Sequence, residues 1–208
     1  MPAGETLALF MAAALALNLT PGPDMMYVTA RSVSDGRRTG VVAAFGIGAG
    51  TLVHIAALAL GLAALLAAVP LAYDALRIAG AIYLVLIGVQ LLLRPRRAAE
   101  VAALPPSSLA TVFAQAVLTN VLNPKVALFF LAFLPQFVDP AAGPALAQIV
   151  LLGLLFDIQG TVVNVAVALL ASGTTRRLRA NARAVSVLQW LTGALFVALG
   201  VRLAAAGK

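Results

Sequence analysis

Two charged residues stand in apolar surroundings, each directly after a proline: Asp24 in TPGPD, residues 20–24, and Lys125 in NPK, residues 123–125. A charge inside hydrocarbon is costly, so an intramembrane ionisable residue marks function by default. The carboxylate of Asp24 suits a substrate ammonium or a proton, and the ammonium of Lys125 suits a carboxylate. Both also have a plain structural use, since Asp is favoured in the first turn of a helix and the two charges suit a structural ion pair. Asp157 is the next carboxylate able to carry a proton, unless it sits solvated near the outer rim. His54, the single histidine, suits either proton coupling or an interhelical hydrogen bond. Asn18, Thr20, Gln115, Asn120, Asn123, Gln159, Thr161 and Asn164 either line a cavity or bridge helices.

The prolines say how such groups are placed. Proline removes a backbone donor and clashes with the preceding turn, yet it is favoured at the first position of a helix. In hydrocarbon the freed backbone groups must face protein or a water-lined cavity. A half-helix is therefore expected to begin at Pro23, capped by Thr20 or Gly22, and a second at Pro124, capped by Asn123. Two such N-termini inside the membrane would offer N–H groups and partial positive charge, a setting suited to a carboxylate. Straight helices would hold Asp24 and Lys125 on opposite sides of the midplane, roughly 10 Å or more apart. One zwitterion reaches both only if the helices tilt or re-enter.

The elements that must position these residues follow from composition. Of 208 residues, 62% are hydrophobic and 10% charged, too few polar groups to cover a soluble domain of this length. Apolar runs of transmembrane length recur, and spans are expected near 6–30, 40–66, 70–93, 109–134, 144–171 and 185–205. The start, MPAGETLALF, lacks the basic n-region of a signal peptide, so the first run is expected to be retained. Loops one, three and five carry ten of the fourteen basic residues: Arg31, Arg37, Arg38; Arg94, Arg96, Arg97; and Arg176, Arg177, Arg179, Arg183. Positive loops stay cytoplasmic, which sends both termini outward. The net charge of +7 is thereby explained by topology rather than by nucleic acid.

The chain also resembles itself. GAIYLVLIGVQLLL from Gly80 matches GALFVALGVRLAA from Gly193 with one gap. GTLVHIAALAL from Gly50 matches GTVVNVAVALL from Gly160, and NLTPGPD aligns more weakly with TNVLNPK, setting Asp24 opposite Lys125. The expected fold is all-α and integral to the membrane: six transmembrane helices in a 3+3 inverted-topology repeat with Pro-broken helices 1 and 4. Residues 1–97 form the first three-helix repeat, 98–108 a cytoplasmic linker and 109–208 the second repeat, together one membrane domain. Three spans per half is an odd number, so the halves lie inverted, an arrangement found in secondary transporters with midplane sites on broken helices. The glycines of FGIGAG, residues 45–50, and Gly80, Gly88, Gly193 and Gly200 read as close helix contacts rather than as a phosphate loop.

NLTPGPDMM, GIGAGTLVH, GAIYLVLIG and FAQAVLTNVLNPKVALFFLAFLPQFV carry a resemblance to the LysE/RhtB family of bacterial amino-acid exporters over nearly the whole chain. The resemblance implies proton-driven export of amino acids from the cytoplasm, with the homoserine/threonine branch fitting best and the leucine class also open. The expected substrate-binding residues are Asn18, Thr20, Pro21, Gly22, Pro23, Asp24, Asn120, Asn123, Pro124 and Lys125. Asp24, Asp157 and His54 are the expected proton-coupling residues. Partners are then a small neutral amino acid, protons and the bilayer of a bacterial inner membrane, with a homodimer open and no cofactor. The alternatives are an exporter or channel for another small solute or cation, or a non-transporting membrane subunit. With no cysteine and one histidine, a transition-metal site is poorly supplied. An enzyme is not expected either, for no GxSxG serine, paired catalytic aspartates or HExxH is present.

Overall fold

The computed structural model describes residues 4–68, 72–93, 105–171 and 182–205, which form helices and no strand. The arginines 94, 96, 97, 176, 177 and 179, the turn at Val69-Pro70 and linker residues 98–104 lie outside the described residues. Helix α1 (Gly4–Leu19) and helix α2 (Pro23–Ser34) form one bent pair, turning by 50°. α3 (Arg37–Ala68) follows a turn in which Gly36 has φ +90°, a value L side chains rarely adopt. α4 (Ala72–Leu93) comes next. α5 (Leu109–Val121) and α6 (Pro124–Leu128) form the second bent pair, turning by 45°. α6 runs on through a π-helical turn (Phe129–Phe133) and a 3₁₀ turn (Leu134–Phe137). α7 (Ala145–Ala171) and α8 (Ala182–Ala205) complete the chain.

Among the described residues, Arg37–Gly61 and Ala145–Ala171 are each long and apolar enough to cross a membrane, and each bent pair passes the same test as one broken span. The shorter apolar stretches Leu84–Leu93 and Trp190–Val201 belong to α4 and α8. Arg31, expected in the first loop, lies instead inside α2, because the helix continues to Ser34.

Small residues set the packing. A methyl group on Gly40 would meet Ala168, and one on Gly153 would meet Ile55, so α3 and α7 run antiparallel. A Cβ on Gly88 would stand 2.7 Å from the Gly193 carbonyl and one on Gly200 2.8 Å from that of Ala81, so α4 and α8 are antiparallel as well. Gly46 and Gly50 press against Phe113, Ala116 and Asn120 of α5. Gly46, Gly48, Gly50, Gly88, Gly193 and Gly200 thus act as close helix contacts, as expected, while the surroundings of Gly80 lie outside what is described.

Two apolar clusters lie at opposite ends of the bundle. The larger holds Phe10, Phe129, Phe130, Phe133, Phe137 and Phe156, with ring centroids as close as 4.6 Å. The smaller is built mainly of short side chains, Val28, Ala43, Ala44, Ile47, Val112, Ala116 and Ala168. The helix breaks lie between them.

Candidate functional site

The first break begins where α1 runs out of acceptable partners. The carbonyl of Ala16 accepts from the backbone N–H of Thr20 at 3.1 Å and from its hydroxyl at 2.7 Å. Thr192 of α8 adds a third donor to the same oxygen at 3.3 Å. The last carbonyls of a helix have no intrahelical donor. Here the Lys125 ammonium supplies one, donating to Leu17 O at 3.2 Å and Thr20 O at 3.0 Å. Gly22 leaves room for this, since a Cβ there would stand 3.1 Å from Nζ. Of the two caps expected for α2, Gly22 occupies the N-cap, without a side-chain bond, and Pro23 opens the helix.

The second break is capped as expected by Asn123, whose Oδ1 accepts from the Lys125 N–H at 3.0 Å. One residue thus belongs to both breaks: its backbone starts α6 and its side chain finishes α1. Asp24 is the reciprocal link. It sits in the first turn of α2 and its Oδ2 accepts from Asn120 Nδ2 of α5 at 2.9 Å. Asp24 Oδ1 and Asn123 Nδ2 are the buried side-chain atoms without a hydrogen-bond partner among the described residues. Asn123 faces Asp24 without reaching hydrogen-bond geometry. The ammonium turns to the α1 carbonyls, so the structural ion pair raised by the sequence is not formed.

Asp24 and Lys125 line one cavity with Asn18, Asn120, Asp157 and Asn164, closed by Thr51, Thr161, Ile47, Phe156 and others. The separation reckoned for straight helices does not apply, because the two helix pairs bend by 50° and 45° at the breaks. At about 20 Å³ the cavity has room for roughly one water, far less than an amino acid. Asp157 is one of the residues that line this cavity. Together with Gly48 and Thr161 it also lines a wider apolar groove of about 660 Å³ between α3, α5 and α7.

The remaining expected residues fall into two groups. Thr20, Pro21, Gly22, Pro23, Asn123 and Pro124 build the breaks but are not among the cavity's lining. His54 stands outside it too. Its Nε2 lies 3.1 Å from the Asn120 carbonyl, a bond it donates in the Nε2–H tautomer, and its ring stacks on Phe130. Asn18 donates to Phe156 O and Gln159 Oε1, each at 3.4 Å. Gln115 lies away from the cavity, bonded to Tyr27 and Arg31. Sequence reasoning passed over Thr51 and Phe156. The repeated GT pair at 50–51 and 160–161 was the available signal for Thr51.

An α-helical membrane chain with two broken helices meeting at a buried, charged cavity has the build of a solute carrier. The chain belongs to the LysE type translocator family, whose model matches residues 15–207. Members of this family are translocators, not enzymes. The chain is 38% identical over 197 residues to an uncharacterised membrane protein of Pseudomonas aeruginosa, covering 90% of this chain and 89% of that one. It is 31% identical over 191 residues to a homoserine/homoserine lactone efflux protein of Salmonella typhimurium, covering 91% of each. It is 26% identical over 198 residues to a leucine efflux protein of an Enterobacter species, covering 94% and 93%. No solved structure matches it.

Proposed function

We propose that the chain is a proton-coupled secondary transporter that exports small neutral amino acids, of the homoserine/threonine or leucine class, across a bacterial inner membrane. The observation that carries this reading is the convergence of Asp24, Lys125 and Asp157 on one small cavity between two helix breaks. A zwitterion needs an acceptor for its ammonium and a donor for its carboxylate. The buried Asp24 Oδ1 is an acceptor without a partner, and Lys125 is a donor that can exchange a backbone carbonyl for a carboxylate. The asparagines 18, 120 and 123 supply neutral bonds around the same space, and Thr20 to Pro23 and Pro124 hold the breaks open. The efflux named for two of the relatives points to the same solute class.

Asp157 is the preferred carrier of the coupling proton, since it belongs to α7 rather than to either break. Asp24 shares that role when substrate leaves, and His54 stands behind it through Asn120.

The six-span inverted repeat belongs to this reading. The alignment pairs Gly80 with Gly193 and Gly88 with Gly200. Exchanging the halves then turns the Gly88–Gly193 contact into the Ala81–Gly200 contact to within one residue. It likewise turns the contact of Gly50 with Asn120 into that of Gly160 with Asn18, again to within one residue. These matched pairs support two inverted halves; that the halves rock about the cavity, with both termini outside and a homodimer open, is part of the same proposal.

The test is efflux of a labelled amino-acid panel from proteoliposomes of the purified chain, with and without an imposed pH gradient. Gradient-stimulated efflux of homoserine and threonine, or of leucine, is expected. No flux of any amino acid from folded protein would move the function to another solute or to a subunit role.

A further inference from the structure

Arg31 is buried to 2% exposure near the end of α2, and its guanidinium is fully engaged. Nη1 donates to Asp35 Oδ2 at 3.0 Å and to the Pro105 carbonyl at 2.9 Å. Nη2 donates to Gln115 Oε1 at 2.9 Å and to Ser107 Oγ at 3.3 Å, and Nε donates to the Tyr27 hydroxyl at 3.3 Å. Tyr27 in turn donates to Gln115 Oε1 or to Val112 O. One side chain therefore ties the second half of a broken helix to the segment before α5 and to α5 itself. A burial this complete is not what a topology signal needs, since positive charge in a loop serves that purpose in water.

Short apolar side chains lie between this knot and the cavity. The small cluster of Val28, Ala43, Ala44 and Ile47 with their neighbours is the apolar seal on that side, and Ile47 also lines the cavity. On the other side the seal is the phenylalanine cluster, with Val126 and Phe156 reaching the cavity. The two closures differ in kind: short side chains behind a charged knot at one end, stacked rings at the other. The repeat sets Asp24 opposite Lys125, so Arg31 corresponds to Ala132 in the second half, and the knot has no counterpart there.

We propose that Arg31 is the latch of the cytoplasmic gate of the export cycle. The proposal rests on the transport reading above. With Arg31 bonded, α2 is held against the start of α5 and the cavity is shut to the cytoplasm. Release of its bonds lets α2 and α5 part at the small-residue seal and admits substrate. The phenylalanine cluster is the separate outer closure and does not depend on Arg31.

The chain contains no cysteine, so single cysteines report access without a background. Ile47→Cys and Val126→Cys are placed in separate proteins, each with native Arg31 and with Arg31→Gln, and labelled with a membrane-impermeant maleimide from either side of oriented vesicles. Losing several charge-assisted bonds is expected to speed labelling of Ile47→Cys from the cytoplasmic side by about tenfold. Labelling of Val126→Cys from the outside is expected to stay within about twofold. A purely structural arginine would loosen both sites together, and that result, or unchanged labelling at Ile47→Cys, overturns the latch. Should Arg31→Gln fail to fold, Asp35→Asn keeps the arginine and removes its ion-pair partner, with about a threefold rise expected from the same side. Protection of native-Arg31 Ile47→Cys by a transported amino acid separates the two readings. Protection without an Arg31 effect sinks the latch alone, and no protection by any amino acid sinks the transport reading and the latch's place in it.

Discussion

Replacing Asp24 by Asn separates a binding carboxylate from a structural one. Asp24 Oδ2 accepts one bond from Asn120 at 2.9 Å, and Oδ1 is buried without a partner. An asparagine keeps the shape and can keep the bond to Asn120 through its own carbonyl oxygen. It removes a charge that is 7% exposed and that attracts the Lys125 ammonium without a direct bond to it. Stability should therefore change little, because the relief of a desolvated carboxylate is offset by the loss of its attraction for the buried Lys125 ammonium. Transport should fall. A hydrogen bond to a charged group contributes about 1.5–3 kcal/mol. Losing that for the substrate ammonium weakens binding by roughly ten- to hundredfold or somewhat more, at about 1.4 kcal/mol per decade. The assay pairs thermal unfolding in detergent with concentration-dependent efflux from proteoliposomes. Wild-type efflux with unchanged apparent affinity would refute a binding role for Asp24. A fall in stability matching the fall in flux would make it structural.

Two further variants probe other parts of the design. Asp157→Asn should abolish stimulation by a pH gradient while leaving amino-acid exchange between equal pools, because the carboxylate proposed to take the proton is lost but the breaks are intact; equal loss of both would remove Asp157 from coupling. Gly88→Val places side-chain atoms where a Cβ alone would stand 2.7 Å from the Gly193 carbonyl. It should lower stability by about 1–3 kcal/mol through overpacking of α4 against α8, read as a lower unfolding temperature, and an unchanged temperature would contradict the close contact.

Legibility varied with the kind of signal. The breaks were readable because Gly-Pro and Asn-Pro combine a missing donor with a cap, and both halves of that chemistry are local. The second break's cap, Asn123, was named from the dipeptide alone. The meeting of Asp24 and Lys125 was not readable, because periodicity gives straight helices and the two bends that join them depend on packing. Arg31 was counted as a topological charge, since the positive-loop argument fixes a side of the membrane and not a depth. Its setting was nevertheless written nearby: Tyr27 on α2 and Asp35 at the helix C-cap lie four residues to either side of it, which is the spacing of side-chain pairs on a helix. The π-helical turn at Phe129–Phe133 left no mark in the sequence, for an apolar run reads alike at either helical pitch.

The charges of the cavity bear on which amino acids fit it. Asp24, Asp157 and Lys125 present two carboxylates and one ammonium. In a medium of low polarity an unbalanced charge is costly. One proton balances the empty cavity, and a zwitterion, neutral overall, enters without upsetting that balance. A cationic amino acid would bring a second positive charge to a site that already holds one at Lys125. Lys125→Met therefore removes the obstacle as well as a donor. Threonine or leucine efflux should fall by about tenfold or more, from loss of a bond to the substrate carboxylate. Lysine, or a shorter diamine amino acid, should gain relative to them, because its side-chain ammonium can donate to the carbonyls of Leu17 and Thr20 that Lys125 leaves. Those carbonyls end α1 at the break and would lose their donor, so the variant should also be less stable without substrate and regain stability with the diamine. Competition between threonine and lysine in proteoliposomes measures the shift. If neutral and cationic amino acids lose flux in equal proportion, Lys125 serves to hold the break together, and its charge does not select the substrate.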